Sequence, residues 1–326
     1  MKGALAFVDM MAREIAARTA RLGKRVTLDA GVLDRSDSIA LESPGEWSPN
    51  RSCRMIEARD GWIAANLPRE DDLQSVPALL EREIAGDAWE ALIEGACELT
   101  CAELVARAQV LSLAIAQVGE TPAPTAPCVV DIADGAALRE RLRVVDFSSL
   151  WAGPLCGAVF AAMGADVVKL DSAERLDPTP VTTPTLDRRL NGLKRKVTLP
   201  LAMREGRTKL LEEIARADVL ITSARARALE GLGITRALLR EGVIWIAVTG
   251  HGFASARVAF GDDAAASGGL VAWNDDAPRF IGDALADPLT GLAAANVALT
   301  LLEQGRGGFV DAALARSAAY VAAIQP

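Results

Sequence analysis

The stretch RVVDFSSLWAGPLCGAVFAAMGADVVKLD, residues 143–171, decides the fold. Its two apolar runs flank a small-residue segment, a pattern that predicts a strand, a turn, a helix and a second strand. Such a βαβ unit often binds a dinucleotide at its first turn, but the chain contains no G-x-G-x-x-G sequence. The turn instead holds Trp151, followed by Gly153, which lets the backbone approach closely, and Pro154, which suits the first helical position. Trp151 has two open interpretations: a cap on the apolar core, or an apolar wall for a flat or thioester-bearing ligand.

Residues 143–326 continue to alternate strand-like and helix-like segments. DVLITSA and GVIWIAVTGHG read as strands, TKLLEEIARA as a helix, and ADPLTGLAAANVALTLLEQG as a long helix. This alternation predicts an α/β fold with a Rossmann-like, mostly parallel sheet that helices cover on both faces. Ligands of such sheets bind beyond the carboxyl ends of the strands.

The first part of the chain has a different pattern. An Ala- and Arg-rich helix over residues 4–22 precedes CRMIEA and GWIAANL, which predict a hairpin, and several helices follow. Thr100 and Glu103 have the spacing of a capping box at the start of one of them. We therefore predict a smaller α+β domain over residues 1–120, a Pro-rich linker over 121–142, and the Rossmann-like domain over 143–326.

Composition narrows the function classes. The chain has 326 residues, a net charge of −8 and 51% hydrophobic residues, which predicts a globular protein and argues against nucleic acid as its main partner. It shows no signal-peptide pattern and no apolar run of membrane-spanning length, so we expect a soluble, cytoplasmic protein that does not bind a membrane. Five cysteines and a single histidine, His251, predict reduced thiols and no metal site.

Asp287, in the segment ADPLTG, stands just before the predicted long helix. One interpretation is structural: Asp is a favoured N-cap, with Pro288 at the first helical position. The other is catalytic, because a helix N-terminus is expected to keep a carboxylate ionised and offers free N–H groups to an oxyanion.

Three stretches together resemble the class III CoA-transferase family, also called the carnitine dehydratase and bile-acid-inducible family. They are VVDFSSLWAGPLCGAVFAAMGADVVKLD, the run from LNGLKRKVTLPL to ARADVLITSARARALEGLGI, and VIWIAVTGHGFASARVAFGDDAAASGGL followed by IGDALADPLTGLAAANVAL. Their order and spacing cover residues 143–316. The resemblance implies transfer of CoA, as co-substrate, between an acyl-CoA thioester and a carboxylic acid. It also implies a homodimer of the interlocked kind that family members form.

The resemblance assigns residues to roles. A family aspartate that opens a helix in a Gly/Ala-Asp-x-x-Thr/Ala-Gly segment is the covalent nucleophile, and Asp287 occupies that place. The resemblance implies that CoA lies along the strand ends and contacts Leu150, Trp151, Ala152, Leu199, Ser223 and Ala224. Arg225 and Arg227 either face the CoA phosphates or belong to a solvated turn.

The first part of the chain resembles the family's small domain in CRMIEARDGWIAANLPREDDLQSVPALLE. Family members insert this domain after the large-domain core, whereas here it precedes the core, so the domain order is permuted. The glycine-run loop that covers the family's aspartate is not evident.

Two alternatives remain open. α-Methylacyl-CoA racemases share the fold and use a His and an Asp as opposed proton carriers. Their His lies in a Gly-His-Asp segment, where this chain has FGDD with Asp262, and His251 lies upstream. The other alternative is a non-catalytic acyl-CoA-binding partner subunit.

Overall fold

The computed structural model describes residues 1–135 and 141–324. Its first part contains a long N-terminal helix and a small helix-covered sheet. Their elements, in chain order, are α1 (Lys2–Leu22), β1 (Cys53–Ala58), β2 (Gly61–Asn66), α2 (Glu70–Gln74), α3 (Val76–Leu80), α4 (Ala88–Ala96), α5 (Cys101–Leu111) and β3 (Ala114–Gln117).

The small sheet is antiparallel in the order β1-β2-β3. Cys53 pairs with Asn66 and Ala58 with Gly61, which confirms the predicted hairpin. The predicted capping box is also confirmed, because the Thr100 hydroxyl accepts from the backbone N–H of Glu103 at 3.2 Å and the Glu103 carboxylate accepts from the backbone N–H of Thr100 at 2.8 Å. Apolar residues of the sheet and of α3, α4 and α5 share one core.

The rest of the described chain alternates strands and helices. The elements, in chain order, are β4 (Val129–Ala133), β5 (Arg143–Phe147), α6 (Ala152–Ala162), β6 (Asp166–Ser172), α7 (Thr179–Thr182), α8 (Pro184–Asn191), β7 (Arg195–Leu199), α9 (Arg204–Ala215), β8 (Val219–Thr222), α10 (Ala226–Gly231), β9 (Ile244–Thr249), α11 (Gly261–Ser267), β10 (Ala272–Asn274), β11 (Ala277–Arg279), α12 (Ala286–Glu303), β12 (Gly307–Ala313) and α13 (Leu314–Ala323).

Within the described residues, a seven-stranded sheet has the order β4-β12-β9-β8-β5-β6-β7. All its pairings are parallel except that of β4 with β12. Its strands are buried on both faces: Val144 of β5 faces the core shared with α1, α6, α12 and α13, whereas Val145 faces the core shared with α9 and α10. The predicted α/β fold with a mostly parallel large sheet and a small second sheet is confirmed.

Part of the first half of the chain packs against the large sheet. Helix α1 places Phe7, Val8 and Ile15 in the same core as α6 and α12.

Residues 121–128 of the predicted linker contain neither helix nor strand, and β4 follows them. Residues 136–140 lie outside the described part of the chain. None of the described helices is long and apolar enough to cross a membrane.

Candidate active site

The carboxyl ends of β5 and β8 bring two of the predicted binding loops together. These strands are parallel neighbours, so the turn after β5 and the residues after β8 meet at one edge. The Ser149 backbone N–H donates to the Ser223 hydroxyl at 2.9 Å, which joins the two loops. Leu150 adopts a φ of 70°, a left-handed conformation that is uncommon for a branched residue and that marks a strained turn.

The other residues predicted to contact CoA differ in burial and in their position in the fold. Trp151 and Ala152 are buried at the start of α6, and Ala224 is half-buried beside Ser223. Leu199 ends β7, two strands from β5, and is buried in the core on the α9 side. Arg225 and Arg227 are exposed, and the Arg225 guanidinium donates to the Ser112 hydroxyl, 3.2 Å away, at the end of α5.

Below the first turn lies a buried ion pair that sequence reasoning missed. The Lys194 Nζ donates to the Asp146 carboxylate at 2.7 Å, to the Pro154 carbonyl at 2.7 Å and to the Asn191 amide oxygen at 2.8 Å. Both charged side chains are fully buried. Burial lowers the pKa of Lys194, against the attraction of Asp146. The three hydrogen bonds tie β5, α6 and α8 together and hold the turn in place.

Asp287 is the second residue of α12, whose N-cap is Leu285. The predictions that Asp287 is the N-cap and that Pro288 is the first helical residue are therefore wrong by two positions. The helix begins earlier because the chain turns at Ala284, which has a φ of 45°. The side chain of Asp287 keeps partial solvent exposure, and the nearby Gly261 backbone N–H favours its ionised form.

Gly261 leaves no room for a side chain beside this carboxylate. A Cβ atom at Gly261 would lie 2.4 Å from Asp287 Oδ2 and 2.4 Å from the Ala284 carbonyl oxygen. Glycine therefore allows the backbone at the start of α11 to approach the carboxylate directly. Its N–H is a donor aimed at the reacting group of the candidate site.

Three carboxylates and one guanidinium form what we call the acidic cluster: Asp262, Asp283, Asp287 and Arg35. Arg35 binds Asp283 with two hydrogen bonds, at 2.5 and 2.9 Å. The Asn50 side-chain amide donates to both Asp262 and Asp283 at 2.8 Å. Asp262 also accepts from the Ala284 backbone N–H at 2.7 Å, which holds the segment before α12.

Burial dominates the electrostatics of the acidic cluster. It raises the pKa of Asp287 to about 7, with Asp262 and Asp283 raising it further and Arg35 lowering it. The same cause raises the pKa of Asp262 to about 6. Burial thus opposes the ionisation that the helix N-terminus was predicted to favour, and Asp287 is partly protonated at neutral pH.

Arg35 also connects the acidic cluster to the first turn. Its guanidinium carbon lies 5.2 Å from the centroid of the Trp151 ring. A second connection runs along α12, where a Cβ at Gly291 would lie 2.6 Å from the Ala152 carbonyl oxygen. Gly291 is one helical turn beyond Asp287, so the carboxylate lies about 6 Å along the axis from the α6 contact.

The residues of the racemase alternative are placed differently. Both oxygens of Asp262 accept hydrogen bonds, from Asn50 and from Ala284. His251 follows β9; burial and, after it, the charge of Arg257 lower its pKa to about 4, so the imidazole is neutral. Its Nε2 atom is buried without a hydrogen-bond partner among the described residues.

Three residues of the candidate site were not predicted from the sequence: Arg35, Asn50 and Asp283. Asp283 lies in the segment that contains Asp287, so a second carboxylate there was a usable signal. Arg35 and Asn50 lie in irregular polar segments more than 230 residues away in sequence, and no periodicity marks them.

All five cysteines are free thiols, and only Cys97 is exposed. Burial raises the pKa of Cys101 and of Cys128 to about 12, so both are thiols at neutral pH. Within the described ranges, no group of three or more His, Cys, Asp and Glu side chains is arranged to hold a metal ion.

Sequence comparison identifies the family. Residues 140–326 match the model of CoA-transferase family III, and the chain belongs to this family. The predicted resemblance is confirmed; residues 1–139 lie outside the match.

Individual relatives agree with this assignment. The chain is 30% identical over 196 residues to a succinyl-CoA–D-citramalate CoA-transferase of Chloroflexus aurantiacus, covering 53% of this chain and 48% of that protein. It is 28% identical to a formyl-CoA:oxalate CoA-transferase of Streptomyces coelicolor, covering 54% and 47%. A CAIB/BAIF family protein of Brucella suis has a similar structure, with a TM-score of 0.50, 26% identity and coverage of 57% and 55%. The chain spans about half the length of the curated relatives it matches.

Proposed function

We propose that this protein transfers CoA between an acyl-CoA thioester and a carboxylic acid, with Asp287 as the covalent nucleophile. The observation that carries the proposal is the setting of this carboxylate. It opens a helix, keeps partial access to solvent and lies against the backbone N–H of Gly261 in an otherwise buried cluster. Membership of CoA-transferase family III supports the same reaction.

In the proposed mechanism, the ionised Asp287 attacks the carbonyl carbon of the acyl-CoA. The C–S bond breaks, which gives a mixed anhydride and CoA thiolate. The thiolate then attacks the aspartyl carbonyl and releases the donor carboxylate, which leaves an aspartyl-CoA thioester. The acceptor carboxylate attacks this thioester, and the CoA thiolate attacks the new anhydride at the acceptor's carbonyl. The products are acceptor acyl-CoA and free Asp287 carboxylate.

The surrounding groups suit these steps. The Gly261 N–H is a donor for an oxyanion at the aspartyl carbonyl. The first turn of α12 adds little, because the Asp287 N–H already bonds to the Ala284 carbonyl at 3.0 Å and Pro288 has no N–H. Arg35 stabilises the ionised form of Asp287 and so increases the fraction of reactive nucleophile. Burial of the cluster limits water, which would otherwise hydrolyse the anhydride.

We place CoA along the carboxyl ends of β5 and β8. Leu150, Trp151 and Ala152 would border its pantetheine, with Ser223 and Ala224 on the neighbouring loop and Leu199 at the end of β7. Arg225 and Arg227 are exposed cations at this edge and would pair with phosphates in an otherwise acidic protein. A homodimer remains part of the proposal.

Intact-protein mass spectrometry tests the nucleophile. The full chain is incubated with a panel of acyl-CoAs and then with hydroxylamine, which traps an aspartyl thioester as the hydroxamate. We expect an adduct that maps to Asp287, is absent from Asp287→Ala, and persists in the matched control Asp276→Ala, which removes an exposed carboxylate. Full transferase activity of Asp287→Ala would overturn the proposal.

One observation keeps the racemase alternative testable: Asp262 and Asp287 both titrate near neutrality, as a pair of proton carriers would. The hydrogen bonds on both oxygens of Asp262 favour a structural role instead. Exchange of the substrate α-proton for deuterium, without any Asp287 adduct, would identify a racemase. CoA binding without adduct or exchange would identify a non-catalytic subunit.

A further inference from the structure

A cavity of about 320 Å³ lies beside the first turn and outside the acidic cluster. Helices α6 and α8 form two of its walls, and residues 26–32, between α1 and β1, form the third. On α6 the lining residues follow helical spacing, with Leu155, Ala158, Val159 and Ala162 on one face. The volume falls in the range of small-molecule sites.

The lining of this cavity is mostly apolar. Leu186 and Leu190 of α8 are buried, and Leu193 at the rim is 76% exposed. Two charged residues, Asp29 and Arg189, occur among the described residues that line it. Both are already engaged: Asp29 accepts from the Gly31 N–H at 2.8 Å, and Arg189 donates to the Asp34 carbonyl at 2.6 Å and to Asp37 at 3.3 Å. The cation Arg189 is therefore already paired, whereas Asp29 keeps a negative charge that would repel a carboxylate.

Two residues that line the cavity also contact the surroundings of the candidate nucleophile. Trp151 lines it and, at the same time, lies 5.2 Å from the guanidinium carbon of Arg35 in the acidic cluster. Leu155 lines it and lies 3.1 Å from a Cβ built on Gly291, one helical turn from Asp287. Trp151 and Leu155 thus form the wall between the cavity and the candidate site, and the hydrocarbon part of an acid held at Asp287 would enter the cavity past them.

We propose that this cavity binds the hydrocarbon part of the substrate acid, so that the protein acts on apolar monocarboxylic acids of medium chain length or with an aromatic ring. The proposal rests on the function proposed above and specifies its substrate class. A dicarboxylic acid fits poorly, because its second carboxylate would be desolvated without a free cation. The citramalate and oxalate named for two of the relatives belong to that disfavoured class.

Ala158 and Ala162 are the residues with which to test the volume. Both are small and half-buried on the α6 face that lines the cavity, so Ala158→Phe fills the cavity from one wall. Ala102→Phe on the exposed surface of α5 is the matched control. Leu193→Glu adds a charge at the exposed rim without disturbing the core and provides a second variant if Ala158→Phe does not fold.

The experiment is calorimetric titration of the full chain with octanoate, 3-phenylpropanoate and succinate, each with CoA present. We expect octanoate or 3-phenylpropanoate to bind at least tenfold more tightly than succinate. Ala158→Phe or Leu193→Glu should weaken the apolar acid at least fivefold, with no change in Ala102→Phe. Equal or tighter binding of succinate, or equal effects of Ala158→Phe and Ala102→Phe, would overturn the proposal.

Asp287→Ala separates the two proposals. It should still bind the apolar acid, because the cavity does not include Asp287. If the wild type binds the apolar acid but forms no aspartyl adduct, the proposed transfer fails and the cavity assignment stands. If the adduct forms with succinyl-CoA as readily as with octanoyl-CoA and apolar acids do not bind, the transfer stands and the cavity assignment fails.

Discussion

Two clusters of buried charge lie close to the same turn, and they differ in charge balance. In the first, Lys194 and Asp146 are both fully buried, and the Lys194 ammonium donates one hydrogen bond each to Asp146, Pro154 and Asn191. Every charge there has a partner. This cluster holds the turn between β5 and α6 and leaves nothing free to react.

The acidic cluster is unbalanced. Among the described residues, Arg35 is the single cation that binds within it. Its two hydrogen bonds go to Asp283, which leaves Asp262 and Asp287 with excess negative charge. The consequence is a carboxyl at Asp287 that titrates near pH 7. Buried charges that are paired hold the fold together. Buried carboxylates that lack a paired cation lower its stability, but they are available to react.

The largest expected effect comes from breaking the balanced cluster. Lys194→Met leaves the Asp146 carboxylate buried without its cation, which should lower the free energy of unfolding by about 3–5 kcal/mol. Urea denaturation measures this change. The double variant Lys194→Met/Asp146→Leu should recover part of the loss, because it removes the orphaned charge; a loss below about 1 kcal/mol in the single variant would contradict the assigned role.

An intermediate effect is expected from Arg35→Gln. The change removes the two hydrogen bonds to Asp283, and because Arg35 is 18% exposed in its side chain we expect a loss of about 2 kcal/mol in unfolding free energy. Arg35 lowers the pKa of Asp287, so the acid limb of the kcat/KM profile should move to higher pH. Arg35→Lys, which keeps the charge, should shift this limb less; an unmoved limb in Arg35→Gln would contradict the electrostatic role.

The smallest effect has the opposite sign. Burial raises the pKa of Asp287 to about 7, so the folded state binds a proton more tightly than the unfolded state. The wild type therefore loses stability as the pH rises from about 4 to about 7. A pKa shift of this size corresponds to about 4 kcal/mol if the side chain is fully buried. Because Asp287 keeps partial solvent exposure, screening reduces the expected gain of Asp287→Asn, which cannot ionise, to about 1–2 kcal/mol at pH 8.

The same variant should have no such advantage at pH 4, where both side chains are neutral. Thermal unfolding at the two pH values checks the prediction, with Asp276→Asn as the exposed control. An advantage that is equal at pH 4 and pH 8 would show that ionisation of Asp287 does not cause it.

The sequence by itself determined the class of fold and the identity of the candidate nucleophile. The alternation of apolar strands with helices is a local pattern, and both faces of β5 are buried as that pattern requires. The hairpin of β1 and β2 and the capping box at Thr100 are also local, since they depend on residues three to thirteen positions apart. The ADPLTG segment marked Asp287 through its resemblance to a known family.

Only the tertiary structure decided what surrounds that nucleophile. Arg35 reaches Asp283 across 248 positions, and Asn50 reaches Asp262 across 212. Such contacts leave no periodic trace in the sequence, because each end lies in an irregular segment and the pairing depends on how the layers pack. The pKa of Asp287 follows from the same packing: the helix N-terminus, visible in the sequence, favours the charged form, but the burial that opposes it exists only in the folded chain.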